Sequence, residues 1–320
     1  MSKVAIIGAG AWGTALALQA SRVGHDVTLV ARDAGKAAAI VEMRASKRLP
    51  GHRLPTELEV GHDIRVDAEL SFWAVPTQYL RSSLLRLTPA SGALVVCAKG
   101  VEAGTRLFPL EVVEQVVPGR SLAVLTGPNF AHEIASGLPA AAVVASADAV
   151  LRARVQAMLG SGTFRLYGND DPIGAQLGGA AKNVIAIAAG TVMGAGLGEN
   201  ARAALVTRGL GEIRRLAIAL GGRPETVMGL SGLGDLLLTC TGAASRNFSM
   251  GYALGEGQSL SKILESRSGV TEGVMTAAAL VARASDVELP ICRAVADLLA
   301  GVKTVDQVIT QLLSRPQRDE

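Results

Sequence analysis

The stretch AIIGAGAWGTALALQA, residues 5–20, decides the fold of the first half of the chain. Its three glycines, Gly8, Gly10 and Gly13, have the spacing G-x-G-x-x-G and lie between a short apolar run and an alanine- and leucine-rich segment. In such an arrangement the first glycine makes a tight turn, the second lets the backbone approach a pyrophosphate, and the third allows close packing of helix on strand. The helix N-terminus then faces the phosphates. The stretch therefore predicts a strand, a turn and a helix that together bind a dinucleotide.

The totals argue against several other classes of protein. The 31 basic and 28 acidic side chains leave a net charge of +3, so nothing indicates nucleic acid or an anionic membrane surface as a main partner. Three cysteines far apart in sequence, Cys97, Cys240 and Cys292, predict neither a disulfide framework nor a zinc site, and they favour a reducing cytoplasm. The uncharged run from Val4 to Ser21 mimics a signal peptide, but its spaced glycines fit a strand and a helix better. No other uncharged run predicts a span of a bilayer.

Short β-like runs alternate with helical stretches through the first half. Near-continuous apolar strands separated by helices predict a parallel sheet covered on both faces. From about Pro172 the strand pattern ends and long helical patterns follow. We predict an α/β domain with a doubly wound, mostly parallel sheet of the Rossmann type at residues 1–175, and an all-α domain at residues 176–320. The predicted strands are KVAII, DVTLVA, LSFWAV, ALVVCA, SLAVLT and AAAVVAS, and the predicted helices of the second domain span 173–192, 201–220, 273–284 and 291–300.

The end of the second strand discriminates between two dinucleotides. An acidic residue there would bind the adenosine ribose hydroxyls of NAD. This chain reads VTLVARD, and Arg32 is suited to a charge-assisted contact with the 2′-phosphate of NADP. Asp33 keeps NAD open, so NADP is the preferred cofactor and NAD the second. In SKRLPG, Lys47 and Arg48 lie either in a solvated loop or in a segment that covers the adenosine. We count Arg48 among the cofactor residues.

Lys182 lies in GGAAKNVIAIAAG, residues 178–190, where every neighbour except Asn183 is small or apolar. A buried ammonium is costly unless something pairs with it, and burial shifts its pKa toward the range useful for proton transfer. Two interpretations remain open at this point. The stem of the lysine snorkels to water, or its ammonium takes part in chemistry.

Several later stretches resemble the bacterial NAD(P)-dependent sn-glycerol-3-phosphate dehydrogenases. The resemblance spans nearly the whole chain, and the motifs occur in the order of that family. It implies an N-terminal Rossmann domain that binds the dinucleotide and a helical C-terminal domain that binds the substrate and carries the catalytic lysine. It also implies a homodimer and reduction of dihydroxyacetone phosphate to glycerol 3-phosphate for phospholipid synthesis. The stretches are VPTQYLR (75–81), AKGVE (98–102), GPNFAHEIASGLP (127–139), QLGGAAKNVIAIAAG (176–190), NARAALVTRGLGE (200–212), GLSGLGDLLLTCTGAASRN (229–247) and VTEG (270–273).

The resemblance implies catalytic roles for four residues. Lys182 matches the lysine that donates a proton to the carbonyl oxygen as hydride arrives, and Lys99 matches a second lysine that touches both substrate and cofactor. Two nearby ammonium groups would lower each other's pKa and stabilise a developing alkoxide. Asp235 and Thr239, at i and i+4, share a face if helical and match residues around the catalytic lysine and the substrate. Asp235 could instead be a helix cap after Gly234.

The implied substrate contacts lie in two motifs. Ser245, Arg246 and Asn247 match a phosphate-binding SRN motif, in which a guanidinium and short polar donors complement a dianion, and Arg246 also matches a cofactor contact. Gly127 and Asn129 match a segment that lines the substrate and the nicotinamide. Bacterial members usually have Ser or Thr where this chain has Asn129, so the hydrogen-bonding group is kept but its contact differs.

The remaining implied cofactor contacts flank these motifs. Ala11 and Trp12 follow the glycines, and Ala11 replaces a common serine, so only its backbone can serve. Ala131 matches a contact near the nicotinamide, as do Val270 and Glu272. From the residues alone, Glu272 is only a carboxylate at a helix start. The resemblance implies no metal site.

Two alternatives are weaker. One is another Rossmann reductase that acts on a hydroxyacid, which gives no reason for the SRN motif or the paired lysines. The other is a non-catalytic NAD(P) sensor, which would keep the glycines but need neither Lys99 nor Lys182.

Overall fold

The computed structural model describes residues 2–63, 67–86, 92–266, 271–284 and 286–314. The chain forms two compact units. Met1–Lys99 and Phe108–Gln176 make up the first, and Gly100–Leu107 and Leu177–Glu320 make up the second. The short segment 100–107 thus belongs with the second unit. The predicted single boundary between residues 175 and 176 assigned this segment to the first domain. That the first unit serves the cofactor and the second the substrate stays a prediction.

The first unit is built on one eight-stranded sheet with the order β3-β2-β1-β4-β5-β6-β7-β8. Neighbouring strands are parallel except β6 and β7, which are antiparallel. The strand order reverses direction at β1, and in such sheets ligands bind outside the carboxyl ends of the strands at this point. The strands are β1 (Lys3–Ile7), β2 (Asp26–Val30), β3 (Glu59–Gly61), β4 (Leu70–Trp73), β5 (Ala93–Val96), β6 (Leu122–Thr126), β7 (Ala140–Ala145) and β8 (Phe164–Asn169).

All six runs predicted as strands lie in this sheet. The central ones are buried almost throughout, as expected for strands covered on both faces. The two edge strands, β3 and β8, were not predicted. One has only three residues, and the other, FRLYGN, contains mostly polar or exposed positions. The helices of this unit are α1 (Ala11–Arg22), α2 (Ala34–Met43), α3 (Thr77–Leu84), α4 (Pro109–Val116), α5 (Ala131–Ser136) and α6 (Ala149–Leu159).

Apart from the segment 100–107, which contains no helix or strand, the described part of the second unit consists of helices and their connections, and this confirms the predicted fold class. The four predicted helices are present with ends shifted by three residues at most, as α7, α8, α13 and α14, and the short helices between them were not predicted. A π-helical turn, Leu230–Gly234, precedes α10. The helices are α7 (Pro172–Gly194), α8 (Gly198–Ala219), α9 (Pro224–Met228), α10 (Asp235–Cys240), α11 (Arg246–Gly255), α12 (Leu260–Glu265), α13 (Glu272–Arg283), α14 (Pro290–Leu299) and α15 (Val305–Leu313).

Helices α7 and α11 touch backbone to backbone through glycines on both. A Cβ atom at Gly190 would lie 2.0 Å from the carbonyl oxygen of Phe248, and one at Gly251 would lie 1.9 Å from that of Ile187. Gly194 and Gly255, one turn further along each helix, are equally close to the facing backbone. Side chains at these four positions would force the helices apart, so glycine holds α11 directly on α7.

By length and composition α7 could cross a membrane. However, 89% of its most apolar 18-residue window is buried inside the protein. Burial of this kind is typical of the central helix of a helical core.

Candidate active site

The glycine turn after β1 has the geometry that its spacing predicts. Gly8 has φ +110°, and a Cβ atom there would lie 2.7 Å from the carbonyl oxygen of Ala74. A Cβ at Gly13 would lie 1.8 Å from the oxygen of Gly8. Gly10 differs, because no heavy atom lies within 4 Å of a Cβ built there. Two glycines thus allow the close packing of the turn, and the third leaves its outer side open.

The start of α1 fits the pyrophosphate of a dinucleotide. Gly10 is the N-cap and supplies no side chain to the first N–H groups of the helix. These amide groups, together with the helix dipole, suit an anion. Ala11 and Trp12 are the first two helical residues, and both are partly buried.

The acidic residue at the end of β2 caps the helix that follows it. Asp33 is the N-cap of α2, and its Oδ1 accepts the Lys36 backbone N–H at 2.9 Å. This hydrogen bond, with help from the charge of Lys36, lowers the pKa of the Asp33 carboxyl. Arg32 lies 3.4 Å from Asp33 Oδ2, and its side chain is 73% exposed. Arg48 is an exposed residue in the loop after α2, where its N–H donates to Ser46 Oγ at 3.3 Å.

Lys99 and Gly127 meet beside the ends of β5 and β6. The Lys99 ammonium donates to the Gly127 carbonyl oxygen at 3.1 Å. Gly127 has φ +122°, and a Cβ atom there would lie 3.1 Å from Ala142 Cα. Two residues later, the buried Oδ1 of Asn129 has no hydrogen-bond partner within the described part of the chain. A buried acceptor of this kind suits a donor on a ligand. Ala131 follows as the first residue of α5.

Lys182 is buried in α7 and does not snorkel to water. The residue is 7% exposed, and its ammonium forms an ion pair with Asp235 and donates to Thr239 Oγ1 at 3.0 Å. Thr239 Oγ1 in turn donates to the Asp235 carbonyl oxygen at 2.6 Å, which ties the two residues of α10 together. The N-cap of α10 is Gly234, so the interpretation of Asp235 as the helix cap is wrong. The carboxylate instead compensates the buried ammonium.

The three residues of the SRN motif have different surroundings. Ser245 is the N-cap of α11, and its Oγ accepts the Phe248 N–H at 3.2 Å. Asn247 is buried; its Nδ2 donates to Asn183 Oδ1 at 2.9 Å, and its Oδ1 accepts the Gly273 N–H at 3.1 Å. Arg246 alone is exposed, on the first turn of α11. A guanidinium beside a helix N-terminus is a favourable arrangement for a phosphate.

Asn183 was missed by the sequence analysis. It follows Lys182 directly, and through Asn247 it connects α7 with α11 and with the start of α13. Its polar side chain in an otherwise apolar stretch was the available signal. Glu272, the first residue of α13, is partly buried beside Gly273. Val270 lies outside the described residues.

All three cysteines are buried, and burial raises the pKa of each thiol. For Cys97 the value is about 12, although a hydrogen bond with Trp12 and the charge of Lys99 oppose the shift. Cys240 also reaches about 12, against a smaller opposing effect of Lys182. The pKa of Cys292 lies well above the usual value because burial acts together with the nearby Glu212 carboxylate. Thiols of this kind are poor nucleophiles.

Within the described residues, no group of three His, Cys, Asp or Glu could hold a metal ion.

The doubly wound sheet, the glycine turn and the buried lysine–carboxylate pair define the class of two-domain, dinucleotide-dependent dehydrogenases. Family models for the N-terminus and the C-terminus of NAD-dependent glycerol-3-phosphate dehydrogenase match residues 3–151 and 171–310. The chain belongs to this family.

Similar proteins cover nearly the whole chain. A glycerol-3-phosphate dehydrogenase [NAD(P)+] from Acidiphilium cryptum is 55% identical over 99% of this chain and 98% of its own length. The protein of the same name from Gluconobacter oxydans is 48% identical over the same shares. The crystal structure of a glycerol-3-phosphate dehydrogenase from Coxiella burnetii has a TM-score of 0.94 at 35% identity, covering 98% of this chain and 99% of that one.

These findings confirm the implied family and the fold class, the enzyme class of NAD(P)-dependent oxidoreductase, and NAD or NADP as cofactor. They do not test the roles of individual residues, which stay predictions.

Proposed function

We propose that the chain catalyses the NAD(P)-dependent reduction of dihydroxyacetone phosphate to sn-glycerol 3-phosphate and the reverse reaction. The observation that carries the proposal is the buried ammonium of Lys182, held by Asp235 and Thr239. A buried ion pair alone contributes little to stability, so its retention in an apolar helix favours a chemical role. When bound, the nicotinamide supplies or accepts the hydride.

Lys182 provides the proton for the reduction. As the carbonyl carbon receives the hydride, the ammonium donates a proton to the carbonyl oxygen and becomes an amine, and the product is the secondary alcohol. In the opposite direction the amine removes the hydroxyl proton. Asp235 stabilises the protonated lysine before the transfer, and Thr239 fixes the direction of the Nζ atom.

Lys99 contributes a second positive charge from the first unit. Its bond to the Gly127 carbonyl holds the ammonium next to the segment that contains Asn129. The family resemblance implies that Lys99 touches the substrate and the cofactor, and a fixed cation of this kind stabilises negative charge that develops on a substrate oxygen. The free acceptor Asn129 Oδ1 orients a hydroxyl of the substrate or the carboxamide of the nicotinamide.

Arg246 binds the substrate phosphate. Its exposed guanidinium and the N-terminus of α11 form the phosphate site, while Ser245 and Asn247 shape this site from inside the unit. A remote phosphate anchor also orients the carbonyl for the reaction.

NADPH is the preferred cofactor. The carboxylate of Asp33 caps α2, which reduces its availability for the ribose hydroxyls that distinguish NAD. Arg32, largely exposed, pairs with the 2′-phosphate. The remaining cofactor contacts proposed here are Gly8, Gly10, Ala11, Trp12, Gly13, Arg48, Lys99, Ala131, Arg246, Val270 and Glu272.

The cellular role proposed with this activity is supply of glycerol 3-phosphate for phospholipid synthesis by a cytoplasmic homodimer. The dimer rests on the family alone. Burial of α7 supports a protein that does not insert into a membrane, and the small net charge supports one without a nucleic-acid partner.

A substrate comparison tests the proposal. The purified protein is given NADPH with dihydroxyacetone phosphate, with unphosphorylated dihydroxyacetone, or with a 2-oxo acid, and NADPH oxidation is followed at 340 nm. We expect rapid oxidation with the phosphorylated ketone only. Preference for the 2-oxo acid would favour a hydroxyacid reductase. Binding of NADPH without turnover of any substrate would favour a sensor.

A further inference from the structure

The C-terminal turn of α1 is tied to the end of α5 by Arg22. Its Nη2 donates to the Ala135 carbonyl oxygen at 2.6 Å and its Nη1 to that of Ile134 at 3.2 Å. Both carbonyls belong to the last turn of α5, where helix acceptors lack the usual partner one turn further on. The Ile134 carbonyl also accepts the Gly137 N–H at 3.0 Å. A cation at this end is also favoured by the helix dipole. Arg22 therefore acts as a C-terminal cap supplied by another helix.

The guanidinium is held in place from within the core. Gln19, one turn earlier in α1, is 1% exposed, and its Oε1 accepts from Arg22 Nη1 at 2.6 Å. The same side chain donates through Nε2 to the Leu159 carbonyl at 2.9 Å and to Ser161 Oγ at 3.2 Å. Although Arg22 is itself exposed, its orientation is set by a buried amide that two further hydrogen bonds hold in place.

Helix α5 needs such an anchor because it has only six residues. Helices this short are unstable in isolation. It begins at Ala131, directly after the segment with Gly127 and Asn129, so its position determines where that segment lies. At the opposite end, α1 starts at the glycine turn. One helix therefore connects the predicted dinucleotide turn with the predicted substrate segment.

We infer that Arg22 is a positioning residue, which fixes the segment 127–131 relative to the glycine turn and thereby sets the location of Asn129 Oδ1. The inference rests on the proposed function. It concerns a residue that contacts neither of the predicted ligands and that acts through the last carbonyls of α5.

The first test is Arg22→Met, which keeps most of the stem and removes both bonds. We expect the KM for dihydroxyacetone phosphate to rise roughly tenfold and kcat to fall a few-fold, because misplacement by about 1 Å can cost up to about a hundredfold. The Kd for NADPH should rise less than the KM, since the glycine turn is unchanged and the displaced segment holds only the proposed contacts at the nicotinamide end, Ala131 and Asn129. Arg22→Lys should restore part of the loss, because an ammonium keeps the charge but not the fork that reaches two carbonyls.

Arg120→Met is the matched control. Arg120 also bonds to backbone through two nitrogens, which donate to the Gly92 carbonyl at 3.2 and 2.7 Å. Both residues lie just before strands, β6 and β5, away from the segment 127–131. We expect a comparable loss of thermal stability in this variant with KM unchanged. If the two variants differ from wild type in stability alone, Arg22 is merely structural and the inference is wrong.

A double-mutant cycle and an activity-free measurement complete the test. In an Asn129→Ala background, Arg22→Met should add little to KM, because both changes act through the same segment; independent multiplication of the effects would overturn the inference. Hydrogen exchange of the amides 132–137 should be faster in Arg22→Met than in wild type or Arg120→Met, and unchanged exchange would also overturn it. A wild-type protein without turnover would refute the proposed function, while the exchange experiment still decides whether Arg22 holds α5.

Discussion

Two aspartates of this protein pair with cations in opposite environments. Asp235 faces Lys182 with side chains that are 1% and 9% exposed, whereas Asp33 faces Arg32 with side chains that are 48% and 73% exposed. In the first region neither charge can be solvated, so each depends on the other. In the second region water screens both, and the carboxylate mainly serves the backbone of α2. An aspartate paired with a cation therefore belongs to a candidate reaction centre in the buried region, whereas in the exposed region the aspartate caps a helix.

The largest effect is expected at Lys182. Lys182→Met keeps an apolar stem of similar length and removes the proton donor, so kcat should fall about 10²–10⁴-fold while the protein stays folded. Because the change leaves the Asp235 carboxylate buried without the Lys182 ammonium, the free energy of unfolding should also fall by about 3–5 kcal/mol. Steady-state kinetics at saturating substrate, with circular dichroism for folding, check the result. Lys262→Met, an exposed lysine on α12, is the control. Turnover of Lys182→Met within a few-fold of wild type would remove the assignment as general acid.

Asp235→Asn tests the buried side of the comparison. It leaves the Lys182 ammonium buried without its carboxylate, which should lower the free energy of unfolding by about 3–5 kcal/mol. Urea unfolding measures the loss. The double variant Lys182→Met/Asp235→Asn should recover most of it, since no charge is then stranded. A loss that persists in the double variant would mean that Asp235 is needed for its shape and not for its charge.

Arg246→Ala should chiefly raise the KM for dihydroxyacetone phosphate, by about ten- to a hundredfold, the range for a lost charge-assisted hydrogen bond. A smaller fall in kcat is expected, because the phosphate anchor orients the carbonyl. Asn247→Ala should act in the same direction but less strongly, through the packing of α11. Kinetics with and without the phosphate group on the substrate check the assignment. Equal effects on both substrates would locate the phosphate elsewhere.

Arg32→Ala should weaken NADPH by about tenfold and leave NADH nearly unchanged, because only NADPH has the 2′-phosphate. The exposure of the side chain limits the effect, and salt should reduce the difference further. Fluorescence titration of both cofactors at low and high ionic strength measures it. Equal losses for NADPH and NADH would exclude Arg32 from the 2′-phosphate site.

The smallest effect is expected at Asp33. The pKa of its carboxyl is lowered below the usual 3.8 in the folded protein, so its contribution to stability is present above that value and lost as the pH falls through the folded pKa. Asp33→Asn keeps a good N-cap residue. We expect a slight decrease in Tm above the usual pKa of the carboxyl, and this decrease should shrink as the pH falls below that value. A large decrease, like that of Asp235→Asn, would abolish the distinction between the two pairs.

The glycine turn and six of the eight strands could be predicted from sequence because their causes are local. Gly8 and Gly13 are required by backbone geometry within a short stretch, and the apolar runs report burial on both faces. The edge strands and the short helices could not be predicted in the same way, because they depend on neighbours distant in sequence. Helix α10, for instance, continues from a π-helical turn that no periodicity indicates.

The sequence indicated the residues of the candidate site, but it did not indicate which of them form ion pairs or hydrogen bonds with each other. Lys182 and Asp235 are separated by 53 residues, and the sequence does not show that α10 brings the carboxylate to the ammonium. The resemblance implies a phosphate site for the SRN motif, but the sequence does not indicate that Ser245 also caps α11 or that Asn247 also connects helices. Asn183 was missed because its function depends on Asn247.

The state of the three thiols has a practical consequence for studying this protein. Burial raises the pKa of the Cys97 and Cys240 thiols to about 12 and that of the Cys292 thiol well above its usual value, so the three buried thiols should hardly react with maleimides near neutral pH. The natural chain is therefore ready for site-specific labelling without removal of its own cysteines. One cysteine introduced on an exposed helix position could carry a fluorophore or spin label, and motions during turnover could be followed in an otherwise unaltered enzyme.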